Sequence, residues 1–182
     1  MRKIAFFTAL AVSALAGANA ASAMTLTSPD IRPGGRMADE QALDAGDCGG
    51  RNISPELDWS GAPKGTKSFA VSVLDPYAPT GGFWHWWVAN IPAGATALSK
   101  GAGDARGAAL PAGSVQIRND FGAIGYGGPC PPTGKPHHYR VTVYALDVDR
   151  IDVGASASAA ALLLNVRAHT LASAALTSLW GR

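Results

Sequence analysis

The chain has 182 residues, long enough for one domain with a sizeable core, and only 15% of its side chains are charged. Its formal charge of +2 belongs to its first residues: setting aside 1–23 takes Arg2 and Lys3 from the 15 basic side chains, leaving 13 against 13 acidic ones. With no basic cluster left to neutralise phosphates, nucleic acid and bulk membrane electrostatics are excluded as partners.

Residues 1–23 form the first predicted element. Arg2-Lys3 precede an apolar run from Ile4 to Leu15, and small residues follow, ending in Ala21-Ser22-Ala23. This is the three-part pattern of a secretory signal peptide, too short for a stable bilayer span. Cleavage is expected near Ala23, with Ala18-Asn19-Ala20 as a competing site and a first core helix as the alternative reading. The expected product is a single domain, residues 24–182, periplasmic or secreted and without a transmembrane anchor. Export would put Cys48 and Cys130, the two cysteines, in an oxidising compartment where a pair normally closes. The bridge would close a loop worth roughly 4–5 kcal/mol in the chain-entropy model; a free thiol at Cys130 is the alternative.

Gly and Pro then punctuate the chain, and short β-type runs lie between them. Ser68–Leu74 is the first, and Asp75 follows it directly before Pro76. A carboxylate at a strand end can be aimed into a cleft, or can simply cap the turn. Phe83–Ile91 is the second run, and alternation puts His85 on one face with Phe83 and Trp87, opposite Trp84 and Trp86. An imidazole among indoles is partly desolvated, as a pocket wall or as a core histidine. Val115–Arg118 is a third, short run.

The loop from Gly125 to Pro136 contains four glycines and four prolines. Its amides are candidates for an anion-holding concavity, and a rigid hairpin connection is the plain alternative. The strongest strand, Tyr139–Leu146, follows His137-His138. Period two places His137 and Tyr139 on one face and turns His138 to solvent, so an imidazole and a phenol are paired as donors to an oxyanion. Ala155–Ala161 and Leu162–Arg167 are rich in helix formers, and His169–Leu179 continues with Leu171, Ala174, Ala175 and Leu179 at three- and four-residue spacing. The reading is one or two C-terminal helices packed on a mainly β, antiparallel sandwich.

Taken in order, Asp75-Pro76-x-Ala78-Pro79, Trp84-His85-Trp86 leading to Asn90-Ile91-Pro92, Gly128-Pro129-Cys130-Pro131-Pro132 and His137-x-Tyr139 resemble the phosphatidylethanolamine-binding protein family, in its bacterial Raf-kinase-inhibitor-like branch. Asn52–Leu57, Asn119–Gly122 and Ala168-His169-x-Leu171-Ala172 extend the resemblance over the whole predicted domain. It implies a β-sandwich with C-terminal helices and a small pocket for phosphate, acetate or phosphoethanolamine-like head groups. Transferred residue by residue, that pocket comprises Asp75, Trp84, His85, Pro131, His137 and Tyr139, with the backbone around Cys130. Bacterial relatives also imply a homodimer.

In one respect the chain departs from the family, which has a second aspartate where Tyr77 stands. Loss of that carboxylate, with a phenolic donor added, would make the pocket more tolerant of doubly charged anions. The expected protein is a non-enzymatic exported binding protein with no cofactor and no metal. One rival is a protein-interaction role of the protease- or kinase-inhibitor type, with an unknown partner and a secondary pocket. Another is a metal-dependent hydrolase built on Asp75, His85 and His137, although no HExxH spacing or Gly-x-Ser-x-Gly elbow supports it.

Overall fold

The structure is a computed structural model that describes residues 23–154 and 157–182. The predicted signal segment therefore lies outside the described residues, apart from Ala23. In chain order the elements are β1 (Thr25–Thr27), β2 (Leu57–Ser60), β3 (Ser68–Asp75), β4 (Phe83–Pro92), β5 (Ala97–Leu98), β6 (Val115–Gln116), β7 (His137–Leu146), α1 (Ala159–Ala168) and β8 (Thr170–Trp180). Two sheets result: a small one in the order β1-β2-β5 and a large one in the order β6-β4-β3-β7-β8. Every pairing between these strands is antiparallel.

Strand β3 is central in the large sheet and covered on both faces, so it reads as a nearly continuous apolar run. Phe69, Val71 and Val73 point inward with Trp86, Val88, Val141 and Val143, against Leu26, Leu57 and Trp59 of the small sheet. Ala70 points the other way, joining Trp87, Ala89 and Leu146 in a second apolar cluster. Leu162 and Val166 of α1 complete that cluster, which makes the helix a third layer. Ser158 caps α1, its side chain accepting from the Ala161 N–H.

The antiparallel sandwich is as expected, but its C-terminal end differs. Among the described residues one α-helix forms there, and it stops at Ala168; the predicted continuation through His169–Leu179 is strand β8. Ten register pairs join β8 to β7, from Leu146↔Thr170 to His137↔Trp180. Leu176, Ser178 and Trp180 are buried in alternation. Five of its eleven residues are Ala or Ser, whose small side chains pack little against any partner, and pairing with β7 overrides the helical spacing. Among the described residues no helix is long and apolar enough to cross a membrane.

Candidate functional site

Three neighbouring strands of the large sheet, β4, β3 and β7, end or begin at one edge of the sandwich. There Asp75 closes β3, Phe83 and His85 open β4, and His137 and Tyr139 open β7. They surround a cavity of about 120 Å³, together with Pro79, Phe121, Cys130, Pro131 and Pro132 from the adjoining loops. Its walls are largely apolar, and among the described residues no Lys or Arg contributes to them.

A β-bulge decides which aromatic faces this cavity. Val73 pairs with Trp86 and Leu74 with Trp84, so His85 is an extra residue opposite no partner. Strict alternation would separate His85 from Trp86; the bulge puts both on the inner face and sends Trp87 outward. Phe83 then takes the wall position expected of Trp84. Trp84 lies on the outer face against Trp87, with ring centroids 5.0 Å apart, and does not line the cavity.

His85 is 3% exposed, and its Nδ1–H donates to the Gly127 carbonyl at 2.6 Å. Gly127 in turn donates its N–H to the His85 carbonyl. Burial holds the His85 pKa below its ordinary value, against the raising effects of the Gly127 bond and the Asp75 charge. The ring is therefore neutral at pH 7, with Nδ1 protonated and Nε2 a lone-pair acceptor. Phe83 and Phe121 pack on it, with centroids 5.0 and 5.6 Å away, and Tyr139 meets it edge-on at 5.2 Å.

Asp75, also 3% exposed, uses its two oxygens differently. Oδ1 accepts the Tyr77 N–H at 2.8 Å, the turn-capping bond of the plain reading. Oδ2 accepts from His137 Nδ1 at 2.6 Å, which orients the second imidazole. Both readings of Asp75 hold at once. Tyr139 is 1% exposed, and burial, reinforced by the Asp75 charge, pushes its phenol pKa up, so it stays an O–H donor. His138 is exposed on the opposite side of β7, as alternation requires.

Tyr77 does not supply a donor to the cavity. Its side chain is 63% exposed and packs on His138 outside, with ring centroids 4.8 Å apart. Nor do the amides of Gly127, Gly128 and Gly134 form a nest. Gly127 N–H goes to His85, Gly128 N–H to Asn52 Oδ1 and Gly134 N–H to the Arg182 carbonyl. A Cβ at Gly128 would run into the Gln41 and Ala42 backbone, so this glycine serves close packing.

Cys48 and Cys130 are bridged, with Cα atoms 5.6 Å apart. The bridge ties the Cys130-Pro131-Pro132 wall to the turn at Gly46–Cys48.

Sequence reasoning missed the residues that hold these groups in place. Asn52 clamps the loop on both sides of Gly127: its Nδ2 donates to Tyr126 O and its Oδ1 accepts from Gly128 N. Asn119 folds the turn that carries Phe121: Oδ1 accepts from the amides of Phe121 and Ala123, and Nδ2 donates to Gly125 O. Both lie within the segments that carried the resemblance, but their contacts are long-range or within irregular turns, where no periodicity marks them. Phe83 was already placed on the correct face by alternation.

The three-layer sandwich and its edge cavity define the class. A family model described as phosphatidylethanolamine-binding protein matches residues 27–181, and the chain belongs to that family. The UPF0098 protein YbcL of Escherichia coli is 48% identical over 88% of each chain. Its crystal structure, described as a new member of the mammalian PEBP family, superposes with a TM-score of 0.85, covering 87% of this chain and 98% of that one. YbhB of the same organism is 46% identical over 86% of this chain and 99% of its own. A Mycobacterium tuberculosis relative with the word lipoprotein in its name is 37% identical over 77% of this chain and 64% of its own.

Proposed function

We propose that this protein is an exported, non-enzymatic binding protein whose edge cavity takes the monoanionic form of a small oxyacid or phosphoryl head group. The observation that carries this reading is the donor and acceptor balance of the cavity. Neutral His85 offers a lone pair at Nε2, Asp75 is an acceptor, and Tyr139 O–H is a donor. With no Lys or Arg on the walls, a bound anion must bring a proton or place one on an imidazole. A singly charged, proton-bearing head group satisfies this balance better than a dianion.

A binding role rather than catalysis is supported by the hydroxyl and thiol groups at the cavity. Cys130 is tied up as a disulfide, Thr80 donates to the Gly82 carbonyl, and the Tyr139 phenol is held neutral. None is an activated nucleophile. Export is supported by the signal-like residues 1–23, the disulfide and the mycobacterial relative named a lipoprotein.

The test is titration calorimetry with phosphate and with phosphoethanolamine at pH 6 and pH 8, using buffers of different ionisation enthalpy. Tighter binding at pH 6, proton uptake at pH 8, and loss of both in a His85→Ala, His137→Ala variant are expected. Binding that is equally tight at both pH values, or that survives the double substitution, overturns the reading.

A further inference from the structure

The outer face of the large sheet carries a second, larger recess that the edge cavity does not reach. It measures about 450 Å³ and lies between α1 and strands β4, β3, β7 and β8. Two guanidinium groups border it: Arg140 from β7, and Arg167 from the last turn of α1. Neither takes part in any of the ion pairs formed among the described residues. Among the described residues no carboxylate lines the recess.

The recess is lined by hydroxyl groups and an indole. Ser72 and Thr142 are buried side chains on adjacent strands, and Ser72 Oγ lies 3.4 Å from the Tyr144 hydroxyl. Trp84 forms part of the wall and rests on Trp87, which stacks nearly parallel on Tyr144 with centroids 5.9 Å apart. Trp84 turns outward by ordinary alternation with Phe83 and His85 on either side of it. Two positive charges outside the ion pairs of the described residues, hydroxyl donors and an aromatic surface thus border one space. The planar guanidinium fork matches two phosphate oxygens geometrically, and its contacts to phosphate are the strong, charge-assisted kind.

We infer that this outer recess is a second ligand site, for a phosphate monoester whose organic part is planar and lies on Trp84. The volume exceeds what bare phosphate would fill, and the paired charges favour a dianion, the opposite preference to the edge cavity. The two sites would share one sheet: the Asp75-bearing end of β3 faces one, and Ser72 on its outer face lines the other.

The probe is phenyl phosphate at pH 8, with inorganic phosphate and phenol as separate arms, followed by calorimetry and by chemical-shift mapping. The chain and a His85→Ala, His137→Ala variant should both bind phenyl phosphate, with the Trp84 indole resonance shifting in each. Arg140→Gln with Arg167→Gln should weaken that binding tenfold or more, since both charge-assisted contacts to the phosphate are removed. Both arginines are exposed, so these variants are expected to fold, and the edge cavity's response to phosphate at pH 6 provides an internal control. A Trp84→Ala variant should reduce the preference for phenyl phosphate over phosphate. Binding unaffected by the arginine substitutions, binding confined to the histidine-lined cavity, or equal affinity for phosphate and phenyl phosphate overturns the proposal.

Discussion

Asp75 and His137 stand 62 residues apart in sequence, yet Oδ2 of one accepts from Nδ1 of the other at 2.6 Å. The same carboxylate caps the turn at Tyr77 through Oδ1, so one buried side chain fixes both the β3–β4 turn and the imidazole across β3 and β7. Asp75→Ala should destabilise the protein by about 1–3 kcal/mol, because it leaves buried donors without acceptors. It should also weaken anion binding by releasing the His137 ring. Urea unfolding and phosphate titration of the variant measure the two effects separately. A variant with normal stability would show that the turn does not depend on this cap.

The pH dependence of stability should carry the signature of His85. Its folded-state pKa lies below the ordinary ~6.5, so the unfolded chain binds more protons just below that value. The contribution of His85 is therefore complete above pH ~6.5 and is lost as pH falls through the folded-state value. Melting temperature should drop between pH 7 and pH 5, and the drop should be smaller in His85→Asn. An identical drop in the variant would remove His85 as its source.

Tyrosine ionisation gives the opposite sign. Burial pushes the phenols of Tyr126 and Tyr139 above their ordinary value of ~10. Their contribution is complete below that pH and is lost as pH rises through it. Alkaline titration should show these two phenols ionising only together with unfolding, and Tyr139→Phe should remove one of the late pair. Reversible ionisation of both in the folded protein would contradict their burial.

Reduction of the Cys48–Cys130 bridge, which spans 82 residues, should cost roughly 4–5 kcal/mol by loop-closure entropy. Because Cys130 and Pro131 form part of the cavity wall, ligand affinity should fall along with stability. Denaturation with and without reductant, followed by phosphate titration of a Cys48→Ala, Cys130→Ala variant, measures both. Unaltered affinity in the variant would mean that Pro131 and Pro132 are held by the Leu43–Pro129 hydrogen bond and other neighbours alone.

The sandwich, the strand-end position of Asp75 and the shared face of His137 and Tyr139 could be read from the sequence, because each rests on local order. Turn residues mark where strands stop, and the two-residue period assigns faces. Trp86 and Trp87 mark where this fails, on the far side of the bulge at His85. Alternation places Phe83 inward, but resemblance assigned the cavity to Trp84, and only the bulge across β3 and β4 puts Trp86 and His85 on one side. Strand β8 fails for a different reason: its Leu and Ala residues favour a helix locally, and the ten pairs to β7 that decide its structure are remote in sequence.

By itself, the sequence determined the strand ends, the residue types that gather at them and the pair of cysteines. Tertiary structure decided which nitrogen of each imidazole is committed, which aromatic forms the wall, and that Arg140 and Arg167 border one separate recess. The difference is physical: strand ends and faces follow from backbone geometry over a few residues, whereas tautomers, burial and converging charges depend on partners that only folding brings within a few ångströms.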